Sequence, residues 1–101
     1  MAGCADKLKI LSDTTRLDIL RRLMDGPLHV NELNAKVRID QSLLSHHLRI
    51  LRENGFVRCK RDGKAVLYSL APEVVVRAPK KGIDLGCCVV AFEDVFFKGE
   101  S

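Results

Sequence analysis

A chain of 101 residues, 47% hydrophobic and 30% charged, is sized for one domain and is too apolar for a disordered tail. No apolar run approaches the roughly 20 residues that a membrane span needs, and Asp6 interrupts the N-terminal stretch, so the expectation is a soluble, cytoplasmic protein with no membrane partner. Seventeen Lys and Arg against 13 Asp and Glu leave a net charge of +4, which favours a polyanionic partner, while 5% aromatics and no Trp disfavour single-strand binding on stacked bases.

The periodicity predicts a short helix over 5–11, with Leu8, Ile10 and Leu11 as its apolar positions. Ser12 or Asp13 can cap a second helix, in which Leu17, Ile19, Leu20, Leu23 and Met24 recur at helical spacing until Gly26-Pro27 stops it. A third starts near His29 or Asn31 and runs through Leu33 to Val37. After a break at 38–40, Asp40 is the expected N-cap of a longer helix over Gln41–Glu53, ended by Asn54-Gly55. Residues 56–61 and 64–70 read as strands, and the Asp62-Gly63 pair between them is a strong hairpin signal. Helix, helix, tight turn, helix and basic hairpin is the order of a winged helix-turn-helix. The expected fold is therefore mainly α with a small β-hairpin. Residues 1–101 are read as one domain, with a DNA-binding core over 8–70. An irregular or β-rich tail over 73–101 is left for sensing, dimerisation or both.

The fourth helix has two faces. Leu44, His47, Leu48 and Leu51 share one stripe, which should face the core; Ser42, Ser45, His46, Arg49 and Glu53 share the other, with Gln41 beside it at the N-terminal end. A polar stripe alone is usually just the solvated side of a helix. Here it adjoins a hairpin that carries Arg58, Lys60, Arg61 and Lys64, and between Asp40 and Leu70 six basic residues face three acidic ones. Short polar side chains and Arg49 can hydrogen-bond base edges or phosphates, and a helix N-terminus suits a phosphate. Gln41, Ser42, Ser45, His46, Arg49, Arg61, Gly63 and Lys64 are thus the candidate DNA-binding residues. His47 shares the leucine stripe and reads as a packed imidazole rather than a metal ligand, since no HExxH-type partner accompanies it.

Two stretches, Leu8-Lys9-Ile10-Leu11-Ser12-Asp13-Thr14-Thr15-Arg16-Leu17-Asp18-Ile19-Leu20 and Gln41-Ser42-Leu43-Leu44-Ser45-His46-His47-Leu48-Arg49-Ile50-Leu51-Arg52-Glu53-Asn54-Gly55-Phe56-Val57, together resemble the ArsR/SmtB family, and the likeness continues through Arg61-Asp62-Gly63-Lys64 and Tyr68-Ser69-Leu70. The resemblance implies a homodimeric repressor that binds a palindromic operator in double-stranded DNA and releases it when an inducer, often a metal or metalloid, binds. It places Ser42, Ser45 and His46 in the major groove and the Asp62-Gly63 wing along the backbone. It assigns His47 and Leu48 to packing of the recognition helix, and Arg16 to the start of the second helix. The arsenic-sensing Cys-x-Cys motif is replaced here by His29-Val30-Asn31-Glu32, and no histidine follows His47 to build the zinc or nickel site of a C-terminal helix. The operator-binding half carries over and the sensing half does not.

The tail is rich in β-branched and aromatic residues: Val74-Val75-Val76, then Val89, Val90, Val95, Phe92, Phe96 and Phe97 around Gly86. This composition fits strand better than a dimerising helix, although a helix over 89–97 stays open. Cys87-Cys88 is the chemically unusual pair. With a bend at Gly86 the two thiolates can grip one soft metalloid of the As(III) type, or Cu(I), with a third thiol from Cys59 or from the partner subunit's Cys4. Disulfide or persulfide chemistry is an alternative use of the same thiols, and plain core packing is another, favoured for Cys59.

No glycine-rich phosphate loop and no nucleophile with a base and an orienting group can be named, which argues against an enzyme. The competing expectations are a small thiol-dependent metal-binding protein or metallochaperone, and a winged-helix protein-interaction module that does not bind DNA.

Overall fold

The computed structural model describes residues 3–95, so Phe96 and Phe97 of the predicted apolar tail lie outside the described residues. Helix α1 (Cys4–Leu11) is followed by α2 (Thr14–Leu23), whose N-cap Asp13 accepts from the amides of Thr15 and Arg16 at 2.8 and 3.1 Å. Between the two predicted caps it is therefore the carboxylate, not Ser12, that satisfies the orphan amides of the first turn. Beyond α2, Gly26 adopts φ 136°, which an L side chain rarely adopts, and Pro27 cannot continue the helix.

A two-residue strand, β1 (Leu28–His29), leads directly into α3 (Val30–Val37). The helix thus begins between the two expected starts, His29 and Asn31, and is preceded by a strand that the periodicity does not predict. Arg38, at φ 59°, reverses the chain into α4 (Gln41–Glu53), capped by Asp40. Then come β2 (Val57–Asp62) and β3 (Ala65–Leu70), an antiparallel pair with β1 on the outer side of β3. Because Asp62 pairs with Ala65, the two-residue turn is Gly63-Lys64, one position later than the predicted Asp62-Gly63. Gly63 takes φ 64° while Lys64 keeps a negative φ, the signature of a II′ hairpin turn. These helices and the three-stranded wing form a winged helix-turn-helix.

Among the described residues the tail is built of short strands, as its composition suggested, and the stretch from 89, where a helix stayed open, is strand followed by a 3-10 turn (Phe92–Asp94). A short 3-10 turn (Pro72–Val74) leads to β4 (Val75–Val76), β5 (Gly82–Asp84) and β6 (Val89–Ala91), antiparallel in that order. Gly82 lies so close to the Val90 carbonyl of β6 that a Cβ there would collide with it. Ile83, Leu85 and Phe92 are buried in one cluster with Leu11, Leu20, Leu44, Leu48 and Phe56, so the tail sheet shares the core of the helices. No described helix is long and apolar enough to cross a membrane.

Candidate nucleic-acid interface

Asp40 sets the start of α4. Its carboxylate accepts from the Ser42 amide at 3.2 Å and from the Ser42 hydroxyl, which holds it below the usual carboxylate range. From there the 3.6-residue repeat sorts α4 into two sides. Leu44, His47, Leu48 and Leu51 are buried, while Gln41, Ser42, Ser45, His46, Arg49 and Glu53 are exposed. One refinement concerns Ser42: its hydroxyl proton is committed to Asp40, so it faces outward chiefly as an acceptor. Leu43 is 45% exposed, an apolar member of the outer face that the polar-stripe count left out.

His47 locks this helix to the rest. Its ring is 7% exposed, and Nδ1 accepts from a guanidinium nitrogen of Arg16 at 3.2 Å. Arg16 in turn donates Nε–H to the Ile10 carbonyl at 2.7 Å, so one side chain connects α1, α2 and α4. Burial pushes the His47 pKa down, with the Arg16 charge adding to it against the pull of Asp13; the imidazole is a neutral packing group. Arg16 therefore does more than start a helix, a role its position in the sequence did not signal.

The wing packs against this helix through β2 and carries further cations. Gly63 and Lys64 form the exposed tip, with Arg61 and Lys60 exposed on the strand leading to it. Not every basic residue of the segment is available: Arg58 forms a two-oxygen ion pair with Glu73 at 2.9 Å, and Arg52 points a guanidinium nitrogen at the Cys59 sulfur, 3.8 Å away. Arg49, Lys60, Arg61 and Lys64 have no ion pair among the described residues. The segment's carboxylates are partly spent: Asp40 caps α4, and Asp62 accepts from His29. The outcome is an exposed polar helix face that carries Arg49, followed by a wing with three more uncompensated positive charges.

A second cluster lies at the other end of α1. Gly86, at φ 91°, opens the turn between β5 and β6, and the Leu85 amide bonds the Cys88 carbonyl at 2.9 Å to close it. This turn carries Cys87 and Cys88 to the first residue of α1. Cys4 and Cys87 are joined as a disulfide with Cα atoms 6.2 Å apart, and the Cys88 sulfur lies 3.9 Å from that of Cys87. All three sulfurs fall within 4.8 Å of one another. The sulfur that joins Cys87 and Cys88 in this cluster is that of Cys4 of the same chain; Cys59 is half-buried on the wing beside Arg52 and lies outside it. Three sulfurs each about 2.3 Å from one ion would sit about 4 Å apart, so once reduced this set fits a small thiophilic centre.

Comparison with known proteins agrees with the geometry. Residues 13–58, from the cap of α2 into β2, match the family model described as "Bacterial regulatory protein, arsR family". Over 69 residues the chain is 42% identical to the HTH-type transcriptional regulator NmtR of Mycobacterium tuberculosis, covering 68% of this chain and 58% of that protein, so it spans less than two thirds of that curated relative. The solved structure of HlyU from Vibrio cholerae superimposes with a TM-score of 0.61 at 39% identity, over 63% of this chain and 70% of that one. A solution structure titled as the homodimeric winged helix-turn-helix DNA-binding domain of Mb0332 from Mycobacterium bovis matches at 29% identity and TM-score 0.61, over 64% of this chain and 60% of that one. With motif, fold and these relatives in agreement, the chain belongs to the ArsR family of bacterial regulatory proteins.

Proposed function

We propose that this chain is a sequence-specific repressor that binds a palindromic operator in double-stranded DNA as a homodimer. Gln41, Ser42, Ser45, His46 and Arg49 meet base edges and nearby phosphates, and Arg61, Gly63 and Lys64 lie along the backbone. One observation carries this reading: the outward polar face of α4 bears Arg49 and the wing that follows bears Lys60, Arg61 and Lys64, four exposed cations that no carboxylate among the described residues pairs with. Its likeness to the transcriptional regulator NmtR and to the homodimeric DNA-binding domain of Mb0332 supports it, and two-fold symmetry would set two recognition helices about one helical turn apart on DNA.

Operator release is assigned to Cys4, Cys87 and Cys88. In the reduced state the three thiolates would hold a soft metalloid of the As(III) type or a soft metal, whose role is to bind sulfur on several sides at once. The Cys4–Cys87 bond supports a second reading, in which a peroxide takes two electrons and two protons from the two thiols, leaves a disulfide and is itself reduced to two waters, or to an alcohol and a water.

A retardation assay with the region upstream of the chain's own gene tests both parts. The reduced protein should retard this duplex and release it on addition of arsenite, with sulfur-to-arsenic absorbance appearing in the near ultraviolet. The Cys87→Ser, Cys88→Ser double variant should still bind and should ignore arsenite. Release by peroxide and not by arsenite would select the second reading. Release surviving in the double variant would remove the thiols from sensing, and failure to bind any duplex would remove the repressor.

A further inference from the structure

His29 stands where the wing sheet meets the helix-turn-helix. It is the last residue of β1, paired across to Leu67 of β3, and it is also the N-cap of α3. Its ring lies between two carboxylates. Nδ1 is 2.8 Å from Glu32 Oε1, and Nε2 is 2.8 Å from Asp62 Oδ2. Ionised carboxylates only accept hydrogen bonds, and a neutral imidazole carries a single N–H, so both contacts are hydrogen bonds only when the ring is an imidazolium. Glu32 is held in turn: its Oε1 also accepts from the His29 amide at 2.8 Å.

The far partner is the informative one. Asp62 ends β2 immediately before the Gly63-Lys64 tip, so its side chain belongs to the part of the wing assigned above to the DNA backbone. An unpaired carboxylate there would repel phosphates. Resting on the operator reading, we infer that His29 is a positioning residue for DNA binding: as an imidazolium it ties the wing tip to the start of α3 and cancels the charge of Asp62 beside the phosphates, so that operator affinity depends on its proton.

The charged groups that bear on the ring are Asp62 from β2 and Glu32 from α3. Lys36, one turn further along α3, acts on Glu32, and β3 presents the uncharged Leu67 opposite His29. The hydrogen bond to Asp62, and after it that to Glu32, raises the His29 pKa above its ordinary 6.5. With a raised folded-state value, the tie is complete below the ordinary value and is lost as pH rises through the folded one. Deprotonation leaves a ring lone pair facing one carboxylate, and that contact turns from attractive to repulsive.

The experiment measures operator affinity of the full chain by fluorescence anisotropy from pH 5.5 to 9 at fixed ionic strength, for wild type and for His29→Gln. Dividing one affinity by the other at each pH cancels every other titrating group. Wild type should bind roughly fivefold tighter at the acid end, the scale of one backbone contact, with the two proteins converging at the alkaline end. A ratio that does not change with pH would overturn the proposal. Independently of DNA, the His29 ring resonances should titrate at lower pH in Asp62→Asn than in wild type; an unmoved midpoint would show that the bridge is absent and would also overturn it. A midpoint that moves in a protein that binds no duplex would instead overturn the operator reading, and with it the role in DNA binding.

Discussion

The helix-turn-helix half and the tail sheet bury apolar surface in different ways. The first does so with continuous stripes: α2 and α4 each contribute four buried side chains in register, and His47 and Arg16 fasten them together. The tail has strands of only two or three residues and contributes Ile83, Leu85 and Phe92. Short strands hold poorly alone. Besides that shared core, single links tie them to the helices: Lys7 to the Leu85 carbonyl at 3.4 Å, Arg77 to the Met24 carbonyl at 3.1 Å, and Cys4 to Cys87. A platform that must present a fixed helix face benefits from the first arrangement. Under the proposed function, an element that responds to a thiol reagent would benefit from the second, because one of its links is itself reactive.

The largest effects should test whether the two halves share one core. Leu48→Ala on α4 and Ile83→Ala on β5 both remove a side chain exposed by no more than 1%, and each should cost about 2–5 kcal/mol. Both should shift the same thermal transition. Two transitions, with Ile83→Ala moving only the lower, would show that the tail folds as a separate unit and would break the comparison as drawn.

A smaller effect separates the two histidines that hold the platform. His47 has a lowered pKa, so its contribution to stability is full above the ordinary value of 6.5 and declines as pH falls toward the folded value. His29 runs in the opposite sense, full at acid pH and lost on the alkaline side. His47→Gln should therefore flatten the acid limb of a stability-versus-pH curve and leave the alkaline limb unchanged. An unchanged acid limb would place the sensitivity elsewhere.

How far each half could be read from the residues follows from the range of its interactions. Asp13, Gly26-Pro27, Asp40 and Asn54-Gly55 act within a few positions of themselves, so α2 and α4 could be bounded from local chemistry alone. The outward face of α4 followed from periodicity. What escaped depends on distant partners. β1 is strand only because Leu28 and His29 pair with Tyr68 and Leu67, some forty positions away. The hairpin turn moved by one residue because the pairing of Asp62 with Ala65 decides it, not the Asp-Gly pair. The sequence offers the partner subunit's Cys4 as a candidate to join Cys87-Cys88; that Cys4 meets Cys87 within the chain, across a sequence separation of 83, no local pattern encodes. The partnership of His29 with Asp62 crosses 33 positions and was equally invisible.

The most direct test of the docking face is salt-dependent binding to the operator and to a scrambled duplex of equal length, for wild type, His46→Ala and Lys64→Ala. For wild type, the logarithm of affinity should fall linearly with the logarithm of salt concentration. Lys64→Ala should weaken both duplexes alike and reduce that slope by about 0.9, one phosphate contact. His46→Ala should narrow the gap between operator and scrambled duplex and leave the slope unchanged. If both variants keep the wild-type slope and the wild-type preference, the outward face of α4 and the wing tip are not what this protein presents to DNA.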